Sequence, residues 1–315
     1  MKVAVLAGGN SAEASVSRSS AAGVARALES RGHGVTLVEV DGALIKTLRE
    51  MAPDVVFPVL HGPPGEDGTI QGLLTMLGLP FVGSDVRGCA VAMDKHVAKA
   101  LFRAAGLPVA DDLLIESGTR LDVAESRALT AFGSPHPGLV VKPLRQGSAL
   151  GVTPVPAGET LGAPLTDALA FGDGVLVERF MRGKEITVGV LDEHGRGPIA
   201  LPVIEIAVGA GEWYDFVNRY TPGKSEHIIP PDLPDVTLQA LQEMALRAHR
   251  CLGLRDLSRA DFVVGEDVCL LEVNNLPGMT PTSLYPDACG AMGIDFGELA
   301  DRLVQSAVRR GPDSV

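Results

Sequence analysis

The chain has 315 residues, 46% of them hydrophobic but only 4% aromatic, and a formal net charge of -12 at neutral pH. That length allows two or more compact units with a cleft between them, and cores rich in Val, Leu and Ala suit parallel sheets covered by helices, an α/β class. The acidic balance excludes a nucleic acid or an anionic membrane surface as partner, since both need a broad basic face, and leaves room for a small anion held by a few local cations.

Residues 2–6 read as a buried strand, Gly8 and Gly9 as a turn, 15–30 as a helix stopped by Gly32, and 35–40 as a second strand, which together make a βαβ opening. Another apolar strand, 55–60, runs into His-Gly-Pro-Pro-Gly, and a short helix over 69–77 follows with Asp67 as its N-cap. The first unit is expected to end at residue 88. A second unit, 89–182, opens with a basic-faced helix over 94–105. Strands at 139–143, 151–155 and 175–180 then surround one helix near 161–171, a small α+β arrangement. The third unit, 183–315, carries most of the sheet in strands at 185–191, 198–206 and 258–264, interrupted by a helix over 236–252. Between them, 211–229 is polar and aperiodic, and a loop of that length inside a compact unit is usually functional. Cys89, Cys251, Cys269 and Cys289 form no CxxC pair, so neither a zinc cage nor a disulfide framework is expected. With no signal-like or membrane-spanning apolar run, the expected location is cytoplasmic.

The segments SRADFVV and CLLEVNN place three oxygen donors, Asp261, Glu272 and Asn274, near one sheet edge, a donor set suited to Mg²⁺. Glu272 and Asn274 share a face because side chains alternate along a strand. Asp261 joins them only across an even-numbered connection, which a four-residue loop over 265–268 satisfies and a three-residue loop does not. Arg259, two residues before Asp261, lies on the same face, to stabilise an oxyanion, to pair with Glu272, or both. Beyond it, residues 275–280 form a turn, and Thr282, Ser283 and Leu284 open a helix whose N-terminus suits a carboxylate or is simply capped by a hydroxyl. Lys142 precedes the small-residue stretch 145–151, which is not a P-loop, and Gly8-Gly9-Asn10-Ser11 is not a dinucleotide fingerprint. Glu13 is either the capping-box partner of Asn10 or a ligand-binding group. His61 and the GEDG segment at 65–68 follow a buried strand, where open α/β sheets bind ligands.

Six strings in chain order resemble the D-alanine:D-alanine ligase family: GGNSAEASVS (8–17), HGPPGEDGTIQGLL (61–74), VGSDVRGCAVAMDK (82–95), VVKPLRQGSALGV (140–152), WYDFVNRY (213–220), and SRADF (258–262) with LLEVNNLPGMTPTSLYP (270–286). The resemblance implies a three-domain ATP-grasp fold with ATP clamped between the central and C-terminal domains. It also implies ligation of two D-alanines through an acyl phosphate, for peptidoglycan precursors. By position, Lys95, Lys142 and Arg219 would meet ATP phosphates and Glu178 and Glu185 the nucleoside. Asp261, Glu272 and Asn274 would hold two Mg²⁺ or Mn²⁺. Glu13, with His61 nearby, would anchor the first ammonium, Arg259 and Gly278 the oxyanion, and Ser283 and Leu284 the second carboxylate. Tyr220, on a closing loop over 211–229, would bond to Ser148, which links to Glu13 and relays a proton from the second amine. A homodimer is implied as well. Arg219, Ala149, Pro64 and Val217 depart from the family's usual residues and bear on loop closure and second-substrate choice. Two alternatives stand beside this reading. One is a paralogous ligase using D-serine, D-lactate or another second substrate; the other is a non-catalytic nucleotide-binding module.

Overall fold

A computed structural model describes residues 1–9, 13–209, 221, 223–280 and 283–314. Asn10, Arg219, Tyr220 and Thr282 lie outside the described residues, as do Val217 and most of the 211–229 loop.

The opening βαβ unit forms as expected. Strands β1 (Lys2–Ala7), β2 (Gly34–Glu39) and β3 (Val55–Pro58) make a parallel sheet in the order β2-β1-β3. Helix α1 (Ala14–Ser30) connects the first two, and α2 (Leu44–Met51), α3 (Thr69–Met76) and α4 (Val86–Met93) follow. Asp67 accepts the backbone N–H of Thr69 at 2.9 Å, while Gly68, at φ 95°, occupies the capping position itself.

Helix α5 (Lys95–Ala104) leads into a four-stranded antiparallel sheet of β4 (Asp112–Ile115), β5 (Leu139–Pro143), β6 (Thr153–Val155) and β7 (Val175–Arg179), ordered β4-β7-β5-β6. Two helices cover it, α6 (Leu121–Phe132) and α7 (Gly162–Leu169), where the sequence pointed to one. The buried face of α6 is built on Ala124 and Ala128, whose small side chains leave too weak a periodic signal to read.

The largest sheet is antiparallel and holds β8 (Lys184–Glu193), β9 (Gly197–Val208), β10 (Ser225–Ile228), β11 (Asp256–Val264) and β12 (Val268–Asn274), in the order β10-β9-β8-β11-β12. Strand β10 corrects the reading of 211–229 as loop throughout. Its sequence, SEHI, has one aliphatic residue, and pairing with β9 makes it a strand where local propensity does not. Helices α8 (Asp235–Leu252), α9 (Leu284–Ala291) and α10 (Phe296–Arg310) complete the chain.

Both faces of the large sheet are buried, which explains why β11 reads as a run of covered residues rather than an alternating one. On one face Val188, Val203 and Phe262 pack with Phe102 of α5 and Leu241 and Leu252 of α8. On the other, Leu201, Ile204 and Leu257 join Tyr285 of α9, Leu303 of α10, and Val3, Val5 and Leu28 of the first unit in one continuous core. A buried ionic clasp reinforces that junction. Arg310 donates to Asp256 Oδ1 at 2.5 Å and to the Phe81 carbonyl at 2.6 Å, while Asp256 Oδ2 accepts the Gly83 N–H at 2.8 Å.

Candidate active site

The site grows from the β11–β12 hairpin. Asp261 lies opposite Glu272 and Arg259 opposite Asn274, so all four side chains share one face. The route to that register differs from the expected one. The connection is three residues long, since Val264 pairs with Val268, and alone it would put Asp261 out of phase. A β-bulge leaves Leu271 unpaired between Glu272 and Leu270, and this extra residue restores the phase.

Asp261 is the hub of this face. Arg259 grips it with both arms of its guanidinium, Nε to Oδ1 at 2.8 Å and Nη2 to Oδ2 at 2.7 Å. Thr187 donates to Oδ1 at 2.6 Å and Asn274 to Oδ2 at 3.0 Å. Arg259 thus grips Asp261, because a residue two positions away on the same strand presents a carboxylate at the spacing a bidentate fork requires. Glu272 lies 3.5 Å from Lys95, the first residue of α5, and Lys95 donates to the Gln146 carbonyl at 2.6 Å. Asp94 caps α5 by accepting from Val97 at 3.1 Å and also holds Arg145, so the helix start and the loop after β5 are tied together.

Two cavities meet at this hairpin. The first, about 580 Å³, is lined by Glu13, His61, Glu66, Gly147, Ser148, Arg259, Asn274, Gly278, Ser283 and Leu284 among others. The second, about 410 Å³, lies between the two antiparallel sheets and is lined by Lys95, Lys142, Glu178, Glu185 and Glu272, with apolar walls from Val140, Val152, Met181 and Leu271. The sequence candidates that lie within the described residues therefore divide into two groups, with Asp261 at the boundary.

In the first cavity, Glu13 stands just before α1 without capping it. Its carboxylate, in a residue 4% exposed, instead accepts the Ser148 hydroxyl from the loop after β5. Ser148 and Ala149 hold φ of 48° and 57°, left-handed values that cost a non-glycine residue roughly 1–2 kcal/mol each. The Ser148–Glu13 and Lys95–Gln146 bonds help hold this loop in place. Ser283 begins α9 but does not cap it either, since its hydroxyl meets the backbone N–H of Thr280 at 3.1 Å and the Thr280 hydroxyl at 2.7 Å. A Cβ on Gly278 would come within 3.1 Å of that hydroxyl. Burial depresses the pKa of His61, against the pull of Glu13 and with the help of Arg259, and among the described residues its buried Nε2 has no hydrogen-bond partner.

Glu66 was not singled out in the sequence, although the GEDG segment was. It accepts the Gly62 N–H at 2.5 Å, and burial together with the Glu13 charge pushes its pKa up to about 8. A carboxyl whose folded pKa is raised stabilises fully below its unfolded pKa and loses that stabilisation as pH rises through about 8. Unfolding in urea at pH 5 and pH 9 should therefore show wild type losing on the order of 1–3 kcal/mol across that interval relative to Glu66→Gln. Parallel pH profiles for the two proteins would show that the proton is absent.

In the second cavity, Glu178 is clasped between two lysines, Lys142 at 2.5 Å and Lys99. Burial acts to raise its pKa, but Lys142 and Lys99 overrule that effect and hold it below the usual carboxylate range. Lys99, 1% exposed, escaped the sequence reading, although its spacing of four from Lys95 on one helix was a usable signal. Glu178→Gln would leave two buried ammonium groups facing each other, and a loss of about 3 kcal/mol or more is expected in chemical denaturation at neutral pH. The lowered pKa sets the window: this stabilisation is present above the ordinary carboxyl range and fades as pH falls below about 4. Equal stability of the two proteins at pH 7 would contradict the pairing.

The two antiparallel sheets facing each other across the second cavity, with the parallel unit closing the first, form an ATP-grasp fold. Residues 44–84 match the family described as D-ala D-ala ligase N-terminus, and residues 101–305 match D-ala D-ala ligase C-terminus. A D-alanine--D-alanine ligase of Desulforudis audaxviator is 44% identical over 98% of this chain and 99% of its own length, and one of Halalkalibacterium halodurans is 41% identical over 98% and 100%. Among solved structures, the D-alanine--D-alanine ligase of Bacillus anthracis complexed with ATP superimposes with a TM-score of 0.82 at 27% identity, covering 98% of both chains. The ligase of Coxiella burnetii gives 0.80 at 26%, covering 98% of this chain and 96% of its own. The chain belongs to the D-alanine–D-alanine ligase family.

Proposed function

We propose that this chain joins two D-alanines into D-alanyl-D-alanine at the expense of ATP, through an acyl phosphate, and that the dipeptide enters peptidoglycan precursor synthesis in the cytoplasm. The observation that carries this reading is the shared face of Arg259, Asp261, Glu272 and Asn274 at the meeting of the two cavities. It puts charge-handling groups between a nucleotide-sized cleft and a polar substrate pocket.

In this reading ATP occupies the second cavity. The apolar walls take its base, Glu178 and Glu185 its nucleoside, and Lys95 and Lys142 its phosphates. Asp261, Glu272 and Asn274 offer two carboxylates and an amide on paired strands, a hard oxygen set that suits Mg²⁺ or Mn²⁺. Asn274 spends its amide N–H on Asp261, which leaves its oxygen as a donor, so the residues fit such ions. Two bound cations would neutralise charge on the transferring phosphoryl group. Glu13, supported by Ser148, anchors the first D-alanine's ammonium, with His61 beside it. Arg259 and the Gly278 amide stabilise the oxyanion of the tetrahedral intermediate, worth about 10²–10³ in rate for a single well-aimed donor. Ser283 and Leu284, at the α9 N-terminus, receive the second carboxylate. The roles of Arg219 and Tyr220, charge on the γ-phosphate and closure over the site, rest on family resemblance, as does a homodimer, and the division at 88 and 182 rests on the sequence pattern. Among the described residues no helix is long and apolar enough to cross a membrane.

Incubation with ATP, Mg²⁺ and D-alanine should release phosphate and yield the dipeptide. Phosphate release that requires D-serine, D-lactate or another acceptor would decide for a paralogous ligase, and none with any acceptor for a non-catalytic module.

A further inference from the structure

Ligation has a proton problem for which the family resemblance implies only a hydroxyl relay through Ser148 and Tyr220. An amino acid at neutral pH arrives as an ammonium with no lone pair, so the acceptor must lose a proton inside the site before it attacks. A serine hydroxyl such as that of Ser148, already donated to Glu13, takes up a proton only by passing one on. An imidazole takes it directly.

One such imidazole lines the first cavity. His227 lies on β10, opposite Ile206 of β9, and its Nδ1 is 2.6 Å from Asp287 Oδ2. Asp287 is in the first turn of α9, where its backbone N–H donates to the Ser283 carbonyl at 3.0 Å. The pair therefore stands beside the residues proposed to hold the acceptor's carboxylate. In an α-amino acid, amine and carboxylate share one carbon, so a group beside the carboxylate end is also within reach of the amine. A carboxylate on Nδ1 selects the tautomer with its proton there, which leaves the Nε2 lone pair as acceptor. Nε2 has no hydrogen-bond partner among the described residues.

We infer that His227, oriented by Asp287, is the general base that deprotonates the acceptor amine. The inference rests on the ligase reading above. Nε2 takes one proton from the ammonium, and the freed lone pair attacks the carbonyl carbon of the acyl phosphate. The bond from that carbon to the bridging oxygen then breaks, and phosphate departs with the second amine proton. The imidazolium, held by Asp287, returns its proton to solvent. Other charged groups share the surroundings: Glu205 on β9, held by Lys184; Glu226 next to His227 on β10; and Glu13, His61, Glu66 and Arg259 across the cavity. Asp287 is the one in hydrogen-bond contact with His227 among the described residues.

The test replaces the acceptor by one that needs no base. Hydroxylamine is largely neutral at pH 7.5 and captures acyl phosphates as hydroxamates. With the wild-type chain, ATP, Mg²⁺ and D-alanine, both dipeptide and hydroxamate should form. His227→Gln should lower the dipeptide rate about 10²-fold while hydroxamate formation stays within about twofold. Asp287→Asn should lower the dipeptide rate by a smaller factor. The His227→Gln deficit should narrow as pH rises towards 9.5 and the amine loses its proton unaided. A parallel fall of both products, a deficit that does not change with pH, or an unaltered dipeptide rate overturns the assignment. Absence of dipeptide from the wild-type chain instead overturns the ligase reading, and the inference with it.

Discussion

Glu272→Gln is expected to lower turnover by about 10³-fold or more, close to 4 kcal/mol in activation free energy, with little effect on folding. The Glu272 side chain is 28% exposed at the second cavity and 3.5 Å from Lys95, so it belongs to the site rather than to a core. Glutamine keeps the volume but removes one of two facing carboxylates, the charge that would hold a divalent cation against phosphate oxygens. Because the Lys95 pair is only partly buried, the stability change should stay within about 1 kcal/mol. Phosphate release with ATP, Mg²⁺ and D-alanine, measured beside a urea unfolding curve, separates the two effects. Release at the wild-type rate would refute the metal assignment, and a collapse of stability would move Glu272 from the site to the scaffold.

Arg259→Lys should cost nearly as much, about 10²–10³-fold in kcat, although the charge is conserved. Arg259 is 8% exposed and makes two bonds to Asp261 with one planar group. A lysine ammonium cannot reproduce that fork, so both the hub carboxylate and any donor aimed at the oxyanion would lose their direction. An accompanying stability loss of about 1–2 kcal/mol is expected from the poorer pairing. The diagnostic is the split between parameters: kcat should fall while the KM for the first D-alanine moves little, since Glu13 and His61 remain. A KM effect with unchanged kcat would place Arg259 in ground-state binding.

The sequence carried the fold class, and it named side chains that the fold gathers around two cavities. Glu13, His61, Lys142, Glu272 and Ser283, which line those cavities, stood out because each sits in a short string whose glycines and polar residues have little packing reason to be there, and Lys95 came only through the family resemblance. Helix α6 and strand β10 were not legible. The first buries alanines and the second has a single aliphatic residue, so neither has a period strong enough to compete with loop. The bulge at Leu271 was likewise invisible, because an unpaired residue in a strand has no local signature and is set by what the neighbouring strands demand. Lys99 and the His227–Asp287 pair acquire meaning only from partners 79 and 60 residues away in the chain, in cavities that separate elements enclose.

By itself the amino-acid order determined the residue types that the proposed phosphate, metal and amino acid chemistry would require, and the α/β class that gathers them, since both follow from local chemistry and hydrophobic pattern. What the tertiary structure decided was adjacency: which carboxylate Arg259 grips, that Glu13 reaches Ser148 rather than its own helix, and that one bulge turns Asp261 towards Glu272. Those outcomes depend on burial and on contacts between distant segments, where an unpaired charge costs several kcal/mol and a single register wins.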